Sequence, residues 1–347
     1  MTKQKNVYIL GAGFSYPAKI PMQAQLLKEV FAYAPGFAEV RFVTAREKVE
    51  RLITTLFDHQ DQVTLEDLFT ILDRSVVAKE RFRDYSWSEL YDFRENLVYV
   101  ILHIIERRLL NIPSGVEETY RAFARFLIEK RQKAGRNKDE LAVISSNWDT
   151  LLEHFVNEQI AELTLKKFGV DYCIYTHFLN NEGIPHTNLR ALGWHNIKLL
   201  KLHGSLNWLY CTNCGRIYVD QDNIGIHDEE CGYCEQMATA PKLYLDPLII
   251  SPTILKEYNN LHIKNIWQNA FIDVQEASEI VFIGYSLPLA DYEFKYLLKK
   301  AIPPGTKLIA VLAPSDRIET KERYVSFLGN GVEFHFDGLE KWVAGTC

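Results

Sequence analysis

Four cysteines in two close pairs are the residues whose spacing predicts chemistry most directly. Cys211-Thr-Asn-Cys214 is followed, after sixteen intervening residues, by Cys231-Gly-Tyr-Cys234, and a glycine follows one cysteine of each pair. Each pair offers two thiolates on one tight turn, and four thiolates complete the tetrahedral shell of a structural zinc ion. We therefore expect Cys211, Cys214, Cys231 and Cys234 to bind zinc for folding rather than for catalysis. Free buried thiols are the alternative.

A second set of polar residues follows four predicted strands, each at the point where an apolar run ends. These segments are Gly11–Ser15, Ser145–Asp149, Lys201–Ser205 and Gly284–Leu287. Because the carboxyl ends of parallel strands meet at one edge of a sheet, we expect the four segments to form one polar rim that binds a ligand. In the alternative, Asn147 or Asp149 only caps the following helix and His203 is a satisfied loop histidine.

The turn Gly11-Ala12-Gly13-Phe14-Ser15 directly follows the apolar run Asn6–Leu10. Glycines at such a turn let the backbone approach a phosphate, and the next helix aims its N-terminal N–H groups at the same anion. The third glycine of a dinucleotide-binding fingerprint is absent, and no acidic residue ends a second strand about twenty residues later. By itself the turn also fits a plain strand-to-helix connection.

Alternating strands and helices must position these segments. Apolar runs predict strands at 6–10, 141–145, 172–175, 197–202, 248–250, 279–283, 307–312 and 332–336, with helices between most of them. This order is typical of an α/β fold. We predict a Rossmann-like, doubly wound parallel sheet with a small four-cysteine zinc module and a helical insertion.

A long helical stretch interrupts the alternation. Residues 42–134 keep a helical period almost throughout, and the longest helix is expected from about Ser88 to Leu110. We predict a sheet domain made of 1–34 and 140–347, with the zinc module at about 208–240, and a helical insertion at 35–139. The long helix has more apolar positions than one covered face requires, which favours either a subunit interface or packing inside the insertion.

The composition is that of a globular protein. The 347 residues are 47% hydrophobic and 24% charged, with a net charge of −6 and a pI near 6.0. Because this balance is acidic, we do not expect the chain to bind nucleic acid directly. The sequence has no secretory signal and no apolar run of about 18 residues, so we expect a cytoplasmic protein without a membrane span.

Taken in order, these motifs resemble those of the sirtuins. The order is Gly-Ala-Gly-x-Ser, Asn-x-Asp, His-Gly, the four-cysteine module and Gly-x-Ser-Leu, and the likeness covers residues 6–21 and about 140–315. The resemblance implies an NAD-binding domain beside a zinc module. It implies that Gly11, Ala12, Gly13 and Ser15 face the pyrophosphate and the adjoining ribose, and that Asn147 and Asp149 line the nicotinamide pocket. It also implies that His203 is the base near the nicotinamide ribose and that Gly284 and Ser286 contact the adenosine half.

Two departures separate this chain from the sirtuins that deacylate proteins. Those enzymes follow Gly-Ile-Pro with Asp-Phe-Arg, whereas Ile20-Pro21 precedes Met22-Gln23-Ala24 here. The helical insertion also has no counterpart in the compact deacylases. Both features are similar to the bacterial sirtuin-like NAD hydrolases of antiviral defence, whose essential Asn and His match Asn147 and His203.

This resemblance predicts cleavage of the bond between nicotinamide and ribose, and the residue types suit that reaction. The transition state is oxocarbenium-like, and nicotinamide leaves as a neutral molecule, so the reaction needs no strong general acid. A polar side chain such as Asn147 and a base are enough to catalyse it. A histidine of unperturbed pKa, about 6.5, is largely neutral at pH 7 and suits the role of His203. Asp149 would stabilise the developing positive charge.

We therefore expect an NAD hydrolase that releases nicotinamide and ADP-ribose in antiphage defence. The hydrolase would form a homo-oligomer and act with a partner ATPase or another defence protein. The alternatives are an NAD-dependent protein deacylase and a non-catalytic sensor of NAD or ADP-ribose.

Overall fold

The chain folds into two compact units, which we call the sheet unit and the helical unit. The structure is a computed structural model that describes residues 5–37, 39–135, 138–178, 195–219, 229–236, 244–253, 260–288 and 291–346. The sheet unit contains the chain up to Ala18, the stretch Ile112–Ile249 and the C-terminal part of the chain. The helical unit contains Lys19–Asn111 and a short segment that begins at Ile250.

A parallel sheet forms the core of the sheet unit. The described strands are β1 (Lys5–Leu10), β2 (Leu141–Ser145), β3 (Phe168–Asp171), β4 (His177–Phe178), β5 (His195–Lys201), β6 (Gly204–Tyr210), β7 (Ile217–Val219), β8 (Asp246–Ile249), β9 (Ala277–Ile283), β10 (Lys307–Val311) and β11 (Val332–His335). Seven of them form a sheet in the order β11-β10-β9-β1-β2-β5-β3, in which every neighbouring pair is parallel. Residues 7–10 of the central strand β1 are buried, as a sheet covered on both faces requires. The predicted doubly wound parallel sheet is confirmed.

The strand order reverses beside β1. The chain passes from β1 to β2 and then β5 on one side, whereas β9, β10 and β11 lie on the other side. In open α/β sheets, ligands bind beyond the carboxyl ends of the strands at such a switch point. The loops after β1, β2, β5 and β9 lie at this place.

Helices cover the sheet and form the second unit. The described helices are α1 (Ala12–Ser15), α2 (Gln23–Ala32), α3 (Val40–Leu56), α4 (Leu65–Ala78), α5 (Trp87–Leu109), α6 (Glu117–Ala134), α7 (Leu151–Glu162), α8 (Gly232–Gln236), α9 (Leu261–Gln275), α10 (Tyr292–Ala301), α11 (Glu319–Leu328) and α12 (Gly338–Thr346). Helix α6 packs against α7, α12 and β5. Its Phe123 ring meets Tyr8 of β1 with 6.1 Å between ring centroids. Because α6 covers the sheet, the helical unit ends at Asn111, earlier than the predicted insertion of 35–139.

Helix α5 is the central element of the helical unit. It begins with a capping box between Ser86 and Glu89, close to the predicted start, and packs against α2, α3 and α4. Val98 and Leu102 are two of the apolar residues that lie outside the single face expected to be covered. Both are buried by other parts of this chain, while Leu110 is exposed. Packing within the chain therefore accounts for Val98 and Leu102 without a subunit interface.

A second sheet of four strands, in the order β4-β7-β6-β8, carries the cysteine pairs. Strand β6 follows β5 through a tight turn at Gly204, where φ is +77° and an added Cβ would lie 2.0 Å from the Leu248 carbonyl oxygen. The run predicted as a strand at 248–250 lies largely in β8, which is antiparallel to β6 and outside the parallel sheet. The small sheet thus begins directly at the edge where the polar segments lie.

The prediction of a strand at 172–175 is wrong, because the strand in this region, β3, ends at Asp171. Cys173 has a φ of +58°, which breaks the extended backbone conformation. Tyr172 is buried instead by packing its ring against Trp208, with 5.0 Å between ring centroids.

Among the described residues, no helix combines the length and the apolar character that crossing a membrane requires.

Candidate active site and metal centre

The four predicted cysteines meet beside the small sheet. Cys211 and Cys214 lie between β6 and β7, Cys231 precedes α8 and Cys234 lies within it. The Sγ atoms of Cys211 and Cys234 are 3.7 Å apart, and those of Cys214 and Cys231 are 3.6 Å apart. A tetrahedron with zinc–sulfur bonds of about 2.3 Å has edges of about 3.8 Å, whereas a disulfide bond is about 2.05 Å long. All four sulfurs lie within 4.8 Å of one another, so this set of ligands fits one zinc ion.

Neighbouring polar groups bind two of the sulfurs. Asn213 donates from Nδ2 to Cys234 Sγ at 3.3 Å, and the Tyr218 hydroxyl lies 3.3 Å from Cys231 Sγ. Burial raises the pKa of the Cys211 thiol to about 12. Burial also acts to raise the pKa of Cys231, but hydrogen bonds from Tyr218 and neighbouring groups lower it to about 7. A bound cation would hold all four sulfurs as thiolates, and its binding free energy would then stabilise the fold of the module.

Backbone hydrogen bonds join the polar segments at the carboxyl edge of the parallel sheet. The amide of Ser146 donates to the Leu10 carbonyl at 3.0 Å, and the amide of Leu202 donates to the Ser145 carbonyl at 2.9 Å. The Gly11 amide donates to the carbonyl of Ile283 at 3.0 Å. These bonds bring the segments after β1, β2, β5 and β9 together at one rim.

Ser15, Asn147 and Asp149 form one hydrogen-bonded cluster at this rim. The buried Ser15 hydroxyl donates to Asp149 Oδ2 at 2.8 Å and accepts from Asn147 Nδ2 at 3.2 Å. Asn147 Nδ2 also donates to the Gly11 carbonyl at 2.9 Å, which fixes the orientation of the amide because a carbonyl can only accept. Both Nδ2 hydrogens are used inside the chain, so Asn147 offers a ligand its Oδ1 acceptor.

Asp149 is 7% exposed, and its two carboxylate oxygens have different partners. Oδ2 accepts from Ser15, and Oδ1 accepts from the backbone amide of Leu151, the first residue of α7. Asp149 therefore does cap the helix in part, as the local alternative predicts, whereas Asn147 binds the Gly11 turn. The Asp149 carboxyl group therefore lies at a buried position of the rim.

His203 lies on the short connection between β5 and β6 and is 9% exposed. Its Nδ1 lies 3.2 Å from the carbonyl oxygen of Ser146. Since that oxygen can only accept, Nδ1 carries the hydrogen of the neutral ring and Nε2 is the basic nitrogen. Trp267 of α9 donates from Nε1 to the Leu202 carbonyl at 3.0 Å, and its ring centroid lies 6.3 Å from that of His203.

Gly13 and Gly284 let two loops of the rim come into backbone contact. The Gly13 amide donates to the Gly284 carbonyl at 2.9 Å. A Cβ on Gly13 would lie 2.8 Å from Gly284 Cα, and a Cβ on Gly284, whose φ is +60°, would lie 2.2 Å from the Gly13 carbonyl carbon. Contact between the loops therefore requires both glycines, whether or not a pyrophosphate binds there.

The other residues predicted to bind the nucleotide also lie on this rim. Gly11 is buried, Ala12 is exposed at the start of α1, and Ser286 is partly exposed. The Ser286 carbonyl accepts from Arg323 Nε at 2.9 Å, and the carbonyl of the preceding Tyr285 accepts from the Tyr324 hydroxyl at 2.6 Å. These bonds hold the loop after β9 against α11.

The sequence did not single out Lys201 and Glu153 as site residues. Both are buried below the rim, with Lys201 Nζ 3.1 Å from Glu153 Oε1. A lysine inside an apolar strand, two residues before His203, was the signal that could have identified them.

The chain matches no protein-family model and no curated protein sequence. Among solved structures it is similar to a Sir2 homologue in complex with NAD, at 15% identity over 99% of this chain and 90% of that chain, with a TM-score of 0.47. It is similar to a mutant Sir2 homologue with ADP-ribose at 14% identity over 98% and 90% of the two chains, also with a TM-score of 0.47. A structure concerned with sirtuin substrate affinity has 17% identity over 99% and 93%, with a TM-score of 0.44. The likeness is distant, and the fold assignment rests on strand order and register.

Proposed function

We propose that this protein is an NAD hydrolase that breaks the bond between nicotinamide and ribose. The observation that carries the proposal is that Asn147, with its Oδ1 acceptor, and His203, with its Nε2 base, lie on the same rim of the sheet. They follow the ends of the neighbouring parallel strands β2 and β5, and the Asp149 carboxylate is joined to Asn147 through the Ser15 hydroxyl.

Each group has a role in the proposed reaction. As the bond to nicotinamide breaks, positive charge develops at the ribose C1′, and the buried Asp149 carboxylate stabilises it electrostatically. Asn147 Oδ1 accepts a hydrogen bond from the attacking water or from the nicotinamide carboxamide. His203 Nε2 would face the ribose hydroxyls and take up the proton that water releases. NAD and water then give nicotinamide, ADP-ribose and a proton.

The dinucleotide would bind across the switch point of the sheet. The pyrophosphate and its ribose would lie over the turn that contains Gly11, Ala12, Gly13 and Ser15, and the adenosine half would contact Gly284 and Ser286. The switch point beside β1 supports this placement, because α/β sheets bind ligands there. Zinc at the four cysteines would serve folding, since a closed set of four ligands leaves no position for water.

The wider biological role is also a proposal. The missing Asp-Phe-Arg segment after Ile20-Pro21 and the helical unit support a place among antiviral NAD hydrolases in the cytoplasm. Such an enzyme needs an inactive state, because free hydrolysis would deplete the NAD of its own cell. A homo-oligomer, or a partner ATPase or other defence protein, would provide that control.

Incubation of the purified protein with NAD alone tests the activity. We expect nicotinamide and ADP-ribose to appear without any peptide, alone or after addition of a candidate activator. Release of nicotinamide only with an acyl-lysine peptide would indicate a deacylase. NAD binding without turnover under every condition would indicate a sensor.

His203→Ala tests the assignment of the base. A general base contributes about 100- to 10,000-fold to a rate, so we expect nicotinamide release to fall at least about 100-fold. NAD affinity, measured by calorimetry, should change little. His335→Ala is the matched control, because His335 is partly exposed at the end of the edge strand β11, three strands away from β1. Wild-type turnover by His203→Ala would show that another group is the base.

A further inference from the structure

The end of β5 carries a charged side chain inside the protein. Lys201 is 1% exposed, and its Nζ lies 3.1 Å from Oε1 of Glu153, whose side chain is 7% exposed. The same Nζ also donates to the main-chain carbonyl oxygen of Asp149. Burial raises the pKa of Glu153, and the nearby Lys201 charge opposes that shift.

Stability alone does not explain this buried pair. Removing two charges from water offsets most of their attraction, and apolar residues of similar volume often stabilise a core at least as well. The geometry that a buried ion pair imposes on the groups around it accounts for such a pair more directly.

The pair connects the two halves of the candidate site. Lys201 precedes His203 by two residues on the same strand end, while Asp149 follows Asn147 by two residues. Glu153 lies in the first turn of α7, which the Asp149 carboxylate caps through the Leu151 amide. One ammonium group thus binds the turn between Asn147 and α7 to the strand that leads to His203.

We propose that Lys201 and Glu153 are positioning residues that set the distance between the Asn147–Asp149 turn and His203. The pair touches no reacting atom and acts through the Asp149 main chain and the start of α7. This inference rests on the proposed hydrolase function for its catalytic consequence, but the coupling between the turn and the strand is a property of the fold.

The fold offers a matched control pair at the opposite edge of the sheet. Lys5, at the start of β1, is 3% exposed and forms an ion pair with Asp273, which is 2% exposed. This contact belongs to a network, since Lys5 also pairs with Asp139 and Asp273 also pairs with Lys198. Both pairs are buried lysine–carboxylate contacts, but Lys5 lies at the amino end of its strand. The double variants Lys201→Met/Glu153→Gln and Lys5→Met/Asp273→Asn each remove both charges while keeping volume. Neither leaves an unpaired buried charge, because in the control Lys198 and Asp139 still pair with each other at 2.6 Å.

The experiment compares the two double variants in turnover and in hydrogen exchange. A misplacement of about 1 Å can lower a rate about 100-fold, so we expect kcat for NAD to fall at least about tenfold in Lys201→Met/Glu153→Gln, with KM within about threefold. Backbone amides of residues 146–151 should exchange faster in that variant. The control should keep wild-type kcat and exchange at 146–151, whatever its melting temperature.

Equal loss of kcat in both variants, or unchanged kcat and exchange in Lys201→Met/Glu153→Gln, would overturn the proposal. If that variant does not fold, Lys201→Arg takes its place, because arginine keeps the positive charge but changes the geometry of the contact. Wild-type kcat and wild-type hydrogen exchange in Lys201→Arg would then overturn the positioning role. If the wild-type protein does not hydrolyse NAD, the hydrolase function fails while the exchange comparison still decides whether this pair positions the turn.

Discussion

Removal of the Ser15 hydroxyl tests the cluster at the rim most directly. Ser15 is 1% exposed and donates to Asp149 Oδ2 at 2.8 Å while it accepts from Asn147 Nδ2 at 3.2 Å. A hydrogen bond to a charged acceptor contributes about 1.5–3 kcal/mol, so Ser15→Ala should destabilise the protein by about that amount. If the same free energy is lost in the transition state, kcat/KM falls about 10- to 150-fold, because about 1.4 kcal/mol corresponds to a factor of ten.

Denaturant unfolding and nicotinamide release, measured on the same preparation, check this prediction. Tyr33→Phe is the matched control, since the Tyr33 hydroxyl also donates to a carboxylate, that of Glu39, at 3.1 Å and lies in the helical unit. We expect a similar loss of stability in the control but little loss of activity. A folded Ser15→Ala protein with wild-type kcat/KM would falsify the view that this hydroxyl holds Asn147 and Asp149 in their active arrangement.

Three further predictions concern the metal, the loop contact and pH. Purified protein should contain about one zinc per chain by elemental analysis, and Cys214→Ser should lower both zinc content and melting temperature; well-folded protein without zinc would contradict the site. Gly284→Ala should destabilise the fold even without nucleotide, because its Cβ would lie 2.2 Å from backbone atoms and its φ is +60°; an unchanged melting temperature would rule out a required close contact. Burial acts to raise the pKa of Glu39, but hydrogen bonds from the Gly36 amide, Arg107 and Tyr33 lower this pKa to about 2. The ionised Glu39 side chain therefore stabilises the helical unit at pH values above the pKa that Glu39 has in the unfolded chain. This stabilisation is lost as the pH falls toward about 2. Glu39→Gln should accordingly reduce the free energy of unfolding at pH 7 and make progressively less difference below about pH 4.5, and a pH-independent difference would contradict the assignment.

The sequence by itself determined those features that depend only on residues close together in the chain. A Cys-x-x-Cys turn brings two sulfurs together by its own backbone, so spacing alone identified the four cysteines whose sulfurs the structure places within 4.8 Å of one another. Long apolar runs identified most strands of the parallel sheet, and a periodic apolar stripe located α5 to within a residue. The polar residues at strand ends predicted the rim, because parallel strands place their carboxyl ends at one edge.

Tertiary structure decided which distant groups meet. Periodicity shows that a helix has an apolar face but not what that face covers, so α6 was assigned to the insertion although Phe123 packs against Tyr8 of the sheet. Strand runs do not specify their partners, and for that reason β8 was not separated from the parallel sheet. The basic nitrogen of His203 depends on the Ser146 carbonyl, and the need for glycine at position 13 depends on the loop at Gly284. Contacts of this kind form only when the order of strands brings remote residues together, and no local pattern in the chain encodes that order.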